Sequence, residues 1–139
     1  MPNKDVKADA PAVAQPTLIF QRDDDFVARY ANNVQFESSG WDLKLVFGLL
    51  DQRNAAKPVV EQHTSINLSW PEVKIGMYLL QLHLALYEKV NGKIRIPDGA
   101  MPPEIPEIVP QEFDNPQGRQ SFDLMRKIRA QFIASLSEP

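Results

Sequence analysis

The sequence predicts an α+β domain: a small antiparallel sheet of about three or four strands packed on one long helix, followed by a Pro-rich segment and a C-terminal helix. Three observations predict it. Apolar residues alternate strictly from Trp41 to Leu49, the period of a strand. An apolar helical pattern opens at Ser69-Trp70-Pro71-Glu72 and closes at Asn91-Gly92. Prolines then crowd residues 97–118, ahead of an amphipathic run to the C-terminus.

The 139 residues are enough for one domain with a core of its own. Hydrophobic content of 43% and charged content of 24% are those of an ordinary globular chain. A net charge of −3 gives no basic excess to hold nucleic acid. The absence of cysteine removes disulfides, thiol nucleophiles and Cys-ligated zinc together. The first residues carry Lys4, Asp5, Lys7 and Asp9 and no apolar stretch, so they do not read as a signal peptide. No apolar run reaches the roughly 18–20 residues that span a bilayer. A cytoplasmic protein is expected.

Residues 1–20, rich in Ala, Pro and charge, read as a flexible arm. Leu18, Ile19 and Phe20 are its one apolar cluster, with an edge strand or groove docking as the other reading. The core is expected over 21–96. Its first strand is Ala28–Glu37, where Val34 and Phe36 alternate with Asn33, Gln35 and Glu37. Ser38-Ser39-Gly40 makes the turn. The second strand, Trp41–Leu50, puts Trp41, Leu43, Leu45, Phe47 and Leu49 on one face and Asp42, Lys44, Val46 and Gly48 on the other. A polar loop, Asp51–Pro58, returns to a third strand, Val59–Leu68.

The helix over 69–91 has a capping box with proline in its first turn and a terminal glycine. Its apolar residues form two adjacent stripes. One is Ile75, Leu79, Leu82, Leu86 and Val90; the other is Val73, Met77, Leu80, Leu84 and Tyr87. Together they cover roughly 220° of the circumference, where a helix on one sheet face needs little more than about 100°. The surplus calls for a second surface, and a second copy of the chain is the simplest. The predicted interface is Ile75, Gly76, Leu79, Leu80, His83, Leu86 and Tyr87.

Residues 97–118 hold six prolines and five acidic residues, with no Lys or Arg, which favours an extended path. Residues 119–139 read as an amphipathic helix centred on Ser121–Leu136, with Arg119, Arg126, Lys127 and Arg129 as its basic residues. Docking on its own domain or on a partner is expected of it, rather than binding a membrane surface. Ile105, Ile108 and Phe113, with Phe122, Met125, Ile128 and Phe132, are the candidate partner-binding residues of the tail.

Tyr30-Ala31-Asn32-Asn33-Val34, Trp41-Asp42-Leu43-Lys44-Leu45, Phe47-Gly48 and Tyr87-Glu88 near Gly92 together resemble a family of small bacterial and archaeal proteins catalogued as a conserved domain of unknown function. The resemblance covers about residues 28–94. It implies an α+β fold and carries no activity with it. The order of elements is also similar to that of the SecB-type export chaperones: antiparallel strands, a long helix, a Pro-rich crossing segment and a final helix. That likeness rests on element order alone.

No residue pattern points to catalysis or to a cofactor. His63 lies on the polar face of the third strand and reads as a solvated histidine rather than a base paired with Asp42 or Glu61. His83 sits within the apolar arc, one heptad after Gly76, and reads as a hydrogen-bonded core or interface histidine. Asp23-Asp24-Asp25 lacks the spacing of a calcium loop. Asn32-Asn33 is expected to satisfy nearby backbone groups. The glycines are scattered, without a phosphate loop or a nucleophile elbow. The reading that results is a homodimeric interaction or adaptor protein, binding itself and another protein. A SecB-like holdase for unfolded chains is the alternative, and an enzyme or small-ligand binder the third.

Overall fold

The computed structural model describes residues 17–51, 53 and 56–137. Strands β1 (Asn33–Ser38), β2 (Asp42–Asp51) and β3 (Val59–Ser69) form one sheet in the order β1-β2-β3. Sequential neighbours joined by links this short are antiparallel, since a parallel pair needs a crossover of a dozen residues or more. Helix α1 (Trp70–Asn91) follows β3 without a loop. Single 3-10 turns at Asp98–Ala100 and Gln111–Phe113 punctuate the proline-rich stretch, and helix α2 (Pro116–Ser137) is the last described element. This is the α+β arrangement the sequence predicts. Of the predicted arm, residues 1–16 lie outside the described residues; Thr17–Phe20 are exposed and carry no regular structure.

Two compact units divide the described residues: 17–35 with Val46–Thr64, and Phe36–Leu45 with 65–137. In the first, Asn32 continues the β1–β2 ladder ahead of the first residue of β1. Its backbone N–H donates to the Gly48 carbonyl at 3.2 Å, and its side-chain Oδ1 accepts from Leu50 N–H at 2.7 Å. This explains why β1 begins at Asn33 and not at Ala28: a side-chain amide takes over the pairing. His63 is fixed between Tyr30 and Thr64. Its Nε2 lies 3.0 Å from the Tyr30 carbonyl, which can only accept, so Nε2 carries the proton and Nδ1 accepts from the Thr64 hydroxyl at 2.9 Å.

Burial in β2 departs from the sequence reading. Val46, 8% exposed, is the one buried apolar side chain among the described residues, and Gly48 is buried beside it in the strand. The strongly apolar row stays open: Leu43, Leu45 and Phe47 are half-buried, Leu49 is exposed, and Trp41 is 89% exposed. The alternation marks the strand correctly, but a face is buried only where something covers it.

In the second unit the β1–β2 turn is knotted by side chains. Ser39 Oγ accepts from the N–H groups of Trp41 and Asp42 at 3.1 and 3.0 Å and donates to the Asp42 carboxylate. That hydroxyl, with the Asn67 amide 2.8 Å away, holds the Asp42 carboxyl below its ordinary pKa. The Trp70 indole N–H donates to the Ser39 carbonyl at 3.2 Å, tying the first turn of α1 to this turn. Ser69 is the N-cap of α1 as predicted, with proline behind it, but its hydroxyl caps nothing, so the capping box does not form. Gly92 closes the helix at φ 84°, and its N–H donates to the Glu88 carbonyl at 2.9 Å.

Gly48 is where the strands crowd most. A Cβ there would lie 2.7 Å from the Glu61 carbonyl oxygen and 2.8 Å from Val60 Cγ1. Gly48→Ala should lower stability by about 1–3 kcal/mol, seen as a lower urea midpoint at unchanged slope. A midpoint at or above the wild-type value would contradict so close an approach.

Candidate interaction surface

Helix α1 has no buried residue. The sequence gives it two apolar stripes and expects the sheet to cover one; both are open. Leu80 is 71% exposed and Val90 82%, and Ile75, Leu79, Leu82, Leu84, Leu86 and Tyr87 are exposed as well. Val73, Gly76 and Glu88 alone are half-buried. A Cβ at Gly76 would meet nothing within 4 Å among the described residues, so none of them uses the glycine for a close approach. His83 is exposed, and among the described residues its imidazole makes no hydrogen bond. The predicted interface residues thus share one helix, and all but the half-buried Gly76 are exposed.

The tail residues divide differently. Residues 102–114 run back along α2, held by arginines. Arg126 Nη2 donates to the carbonyls of Pro106 and Glu107 at 2.8 and 2.7 Å, with Nε 3.1 Å from the Pro106 oxygen. Arg129 Nε donates to the Pro103 carbonyl at 2.9 Å, with Nη2 3.2 Å from the Pro102 oxygen. The chemistry is that of an extended proline-rich backbone. It has no internal hydrogen bonds, its carbonyls face outward, and a planar guanidinium can bridge two of them. Farther along, the rings of Phe113 and Phe122 lie 6.1 Å apart at 37°, and Arg119 Nε donates to Asp114 at 2.6 Å. The guanidinium holds the Asp114 carboxyl below its usual range.

Three of the four basic residues expected on this helix are therefore spent within the tail itself. Ile105 and Phe132 are half-buried, while Ile108, Met125 and Ile128 remain exposed. Sequence reading takes this helix over 119–139, with its apolar stripe in Ser121–Leu136, and α2 begins a little earlier, at Pro116. The missed signal is Asn115-Pro116: the Asn115 side chain accepts from Gly118 N–H at 2.8 Å, and proline suits the first helical position.

An open cleft of about 690 Å³ lies between α1, from Met77 to Glu88, and the end of α2. Met77, Leu84 and Ile94 line one side, Ile128, Phe132 and Leu136 the other. Glu88 stands at its rim, where the Ile94 N–H, 3.0 Å from its carboxylate, and Lys93 hold its pKa below the usual value. Neither histidine lines this cleft. Among the described residues, no helix is long and apolar enough to cross a membrane.

Residues 2–96 match a family model whose description is a protein of unknown function, DUF3467. The matched span reaches farther toward the N-terminus than the resemblance seen in the sequence, and it stops where the proline-rich segment begins. No curated protein and no solved structure matches the chain.

If the arginine clamp holds the tail together, Arg126→Ala combined with Arg129→Ala should loosen the backbone at Glu104 and Glu107, whose side chains are already exposed, and make it a substrate for a glutamate-specific protease. Cleavage there should quicken about tenfold, the equivalent of losing charge-assisted hydrogen bonds. Arg126→Lys should give only partial protection, because a point donor cannot span two carbonyls. Unchanged cleavage in the double variant would show that the clamp does not order the segment.

Proposed function

For this chain, which belongs to the family described as a protein of unknown function (DUF3467), we propose the role of a homodimeric protein-interaction domain, an adaptor whose α1 is the seam between two copies. The observation that carries this is the exposure of both stripes of α1. Eleven large apolar or aromatic side chains of this helix are exposed, from 41% at Trp70 and Leu82 to 82% at Val90. At roughly 100 Å² apiece they present on the order of 1,000 Å² per copy, and a standard interface buries about 800 Å² per partner. Apolar patches of this extent are uncommon on monomers and mark interaction sites.

A second copy is the fitting cover because the surface is nearly uncharged. Between Ile75 and Tyr87 the helix carries no Lys, Arg, Asp or Glu. The face is self-complementary and sets no like charges against each other. Gly76 allows close approach, and His83 provides a hydrogen-bonding group within the seam. The adaptor role rests on the tail, whose exposed Ile108, Met125 and Ile128 remain available to a second protein. No catalytic role is proposed.

Leu80→Glu discriminates between a dimer and a lone domain. On an isolated chain the site is solvent, and the change should cost no more than about 0.5 kcal/mol. In a seam it buries an unpaired charge and costs about 3–5 kcal/mol. Light scattering on the wild type should give twice the chain mass of 15.7 kDa. Leu80→Glu, like Leu79→Glu, should lose the dimer or the fold. A folded, unaltered protein after both changes would overturn the reading, and a stable monomer that suppresses aggregation of unfolded chains would favour a holdase instead.

A further inference from the structure

We propose that α2 carries a binding site for an extended proline-rich peptide, and that residues 102–107 of the same chain occupy it as a displaceable strap. The site lies wholly in the tail and does not depend on the dimer reading. Five hydrogen bonds define it. Arg129 bridges the carbonyls of Pro102 and Pro103, and Arg126 those of Pro106 and Glu107, at 2.7–3.2 Å. The later arginine holds the earlier carbonyls, so the strap runs antiparallel to α2. Every acceptor is a main-chain oxygen. Glu104 and Glu107 take part in no ion pair among the described residues, so acidic charge is not what holds the strap.

The strap has the conformation this clamp needs. Proline fixes φ at about −65°, and the residue before a proline is confined to extended backbone. Pro102, Pro103 and Pro106 therefore leave only Glu104 unconstrained between Met101 and Pro106. Met101 has φ −65° and ψ 139°, close to polyproline II. No turn or bend interrupts Pro102–Pro106. In that conformation the carbonyls have no internal partners, and any peptide with the same backbone offers the same acceptors.

The clamp itself is set by α2. Its two arginines stand about one turn apart on the same face. Asp123, on the same helix, accepts from Arg126 Nη1 at 2.7 Å and fixes that guanidinium. A hollow of about 260 Å³ beside the arginines is lined in part by Ile105 and Ala130. Ile105 is half-buried there, while Pro102, Pro103 and Pro106 are exposed. The pattern recognised is two prolines, a variable residue, an apolar residue and a proline.

The same facts make the strap displaceable. Its prolines lie on the surface and its contacts are exposed hydrogen bonds, the kind of segment that opens locally without unfolding the rest. Tethering is its advantage, since residues 108–115 lead directly into α2 and keep its effective concentration on the order of millimolar. A second copy brings a strap already held by its own arginines. The incoming ligand is therefore the proline-rich segment of another protein, which competes by mass action.

The probe is a synthetic peptide of the strap sequence Met101–Val109 carrying Glu104→Gln and Glu107→Gln, which a glutamate-specific protease cannot cut. Added to the full-length wild-type chain at about millimolar concentration, it should quicken cleavage at Glu104 and Glu107 at least about threefold, because the chain's own strap spends longer released. The same peptide with its three prolines replaced by glycine should have no effect. Fluorescence polarisation of the labelled prolyl peptide gives the second readout. A full-length chain with Pro102→Gly, Pro103→Gly and Pro106→Gly has a looser strap and should bind it at least about tenfold more tightly than the wild type. Adding Arg126→Ala and Arg129→Ala should remove that gain. Cleavage of the wild type that the prolyl peptide leaves unchanged overturns the proposal, and this arm needs no substituted chain to fold. Binding that survives the loss of both arginines, or that the glycine peptide matches, overturns it as well.

Discussion

Among the described residues, the burial that organises the sheet reaches one apolar side chain, Val46, and the rest of the described structure is conditioned by how little lies beneath it. Folding a chain of this length costs on the order of 100–200 kcal/mol in conformational entropy, and buried apolar surface is the main term against it. Here the side chains able to supply that surface are present but open. Leu43, Leu45 and Phe47 are half-buried, and the apolar arc of α1 faces solvent along its length. On the proposed reading, an association that buries those faces is a condition of stability and not an addition to it. In such proteins folding and assembly are a single equilibrium.

The local structure is nonetheless well defined, because polar groups hold it. Ser39 knots the β1–β2 turn, Trp70 ties the start of α1 to that turn, and Asn32 prolongs the ladder ahead of the first residue of β1. In the tail, Arg126 and Arg129 bridge proline-segment carbonyls that have no partner of their own. These contacts fix direction and register but bury little. They set out exposed apolar faces in an ordered way, which is what an interface needs, since preorganised side chains lose less entropy on binding.

Much of the fold was legible in the sequence. The alternation from Trp41 to Leu49 located β2, and Gly92 marked the end of α1 by its positive φ. Pattern could not say which face would be covered, because cover is a tertiary property; the row with Val46 and Gly48 is buried while the more apolar row is open. Ser69 and Glu72 have the spacing of a capping box, yet β3 runs straight into α1 and the indole of Trp70 makes the anchoring bond. The arginine clamp was hidden by distance: Arg129 and the prolines it holds stand 26 and 27 residues apart. The candidate seam was legible because its signal is local, an apolar arc wider than one sheet can use.

The dependence of thermal unfolding on protein concentration tests the central claim most directly. If the fold is completed by a second copy, unfolding includes dissociation. A hundredfold rise in concentration should then add about 2.7 kcal/mol and raise the midpoint by about 5 °C. A midpoint that stays the same across that range, with a cooperative transition, would mean that one copy is stable alone, and the account of α1 as a seam between two copies would be wrong.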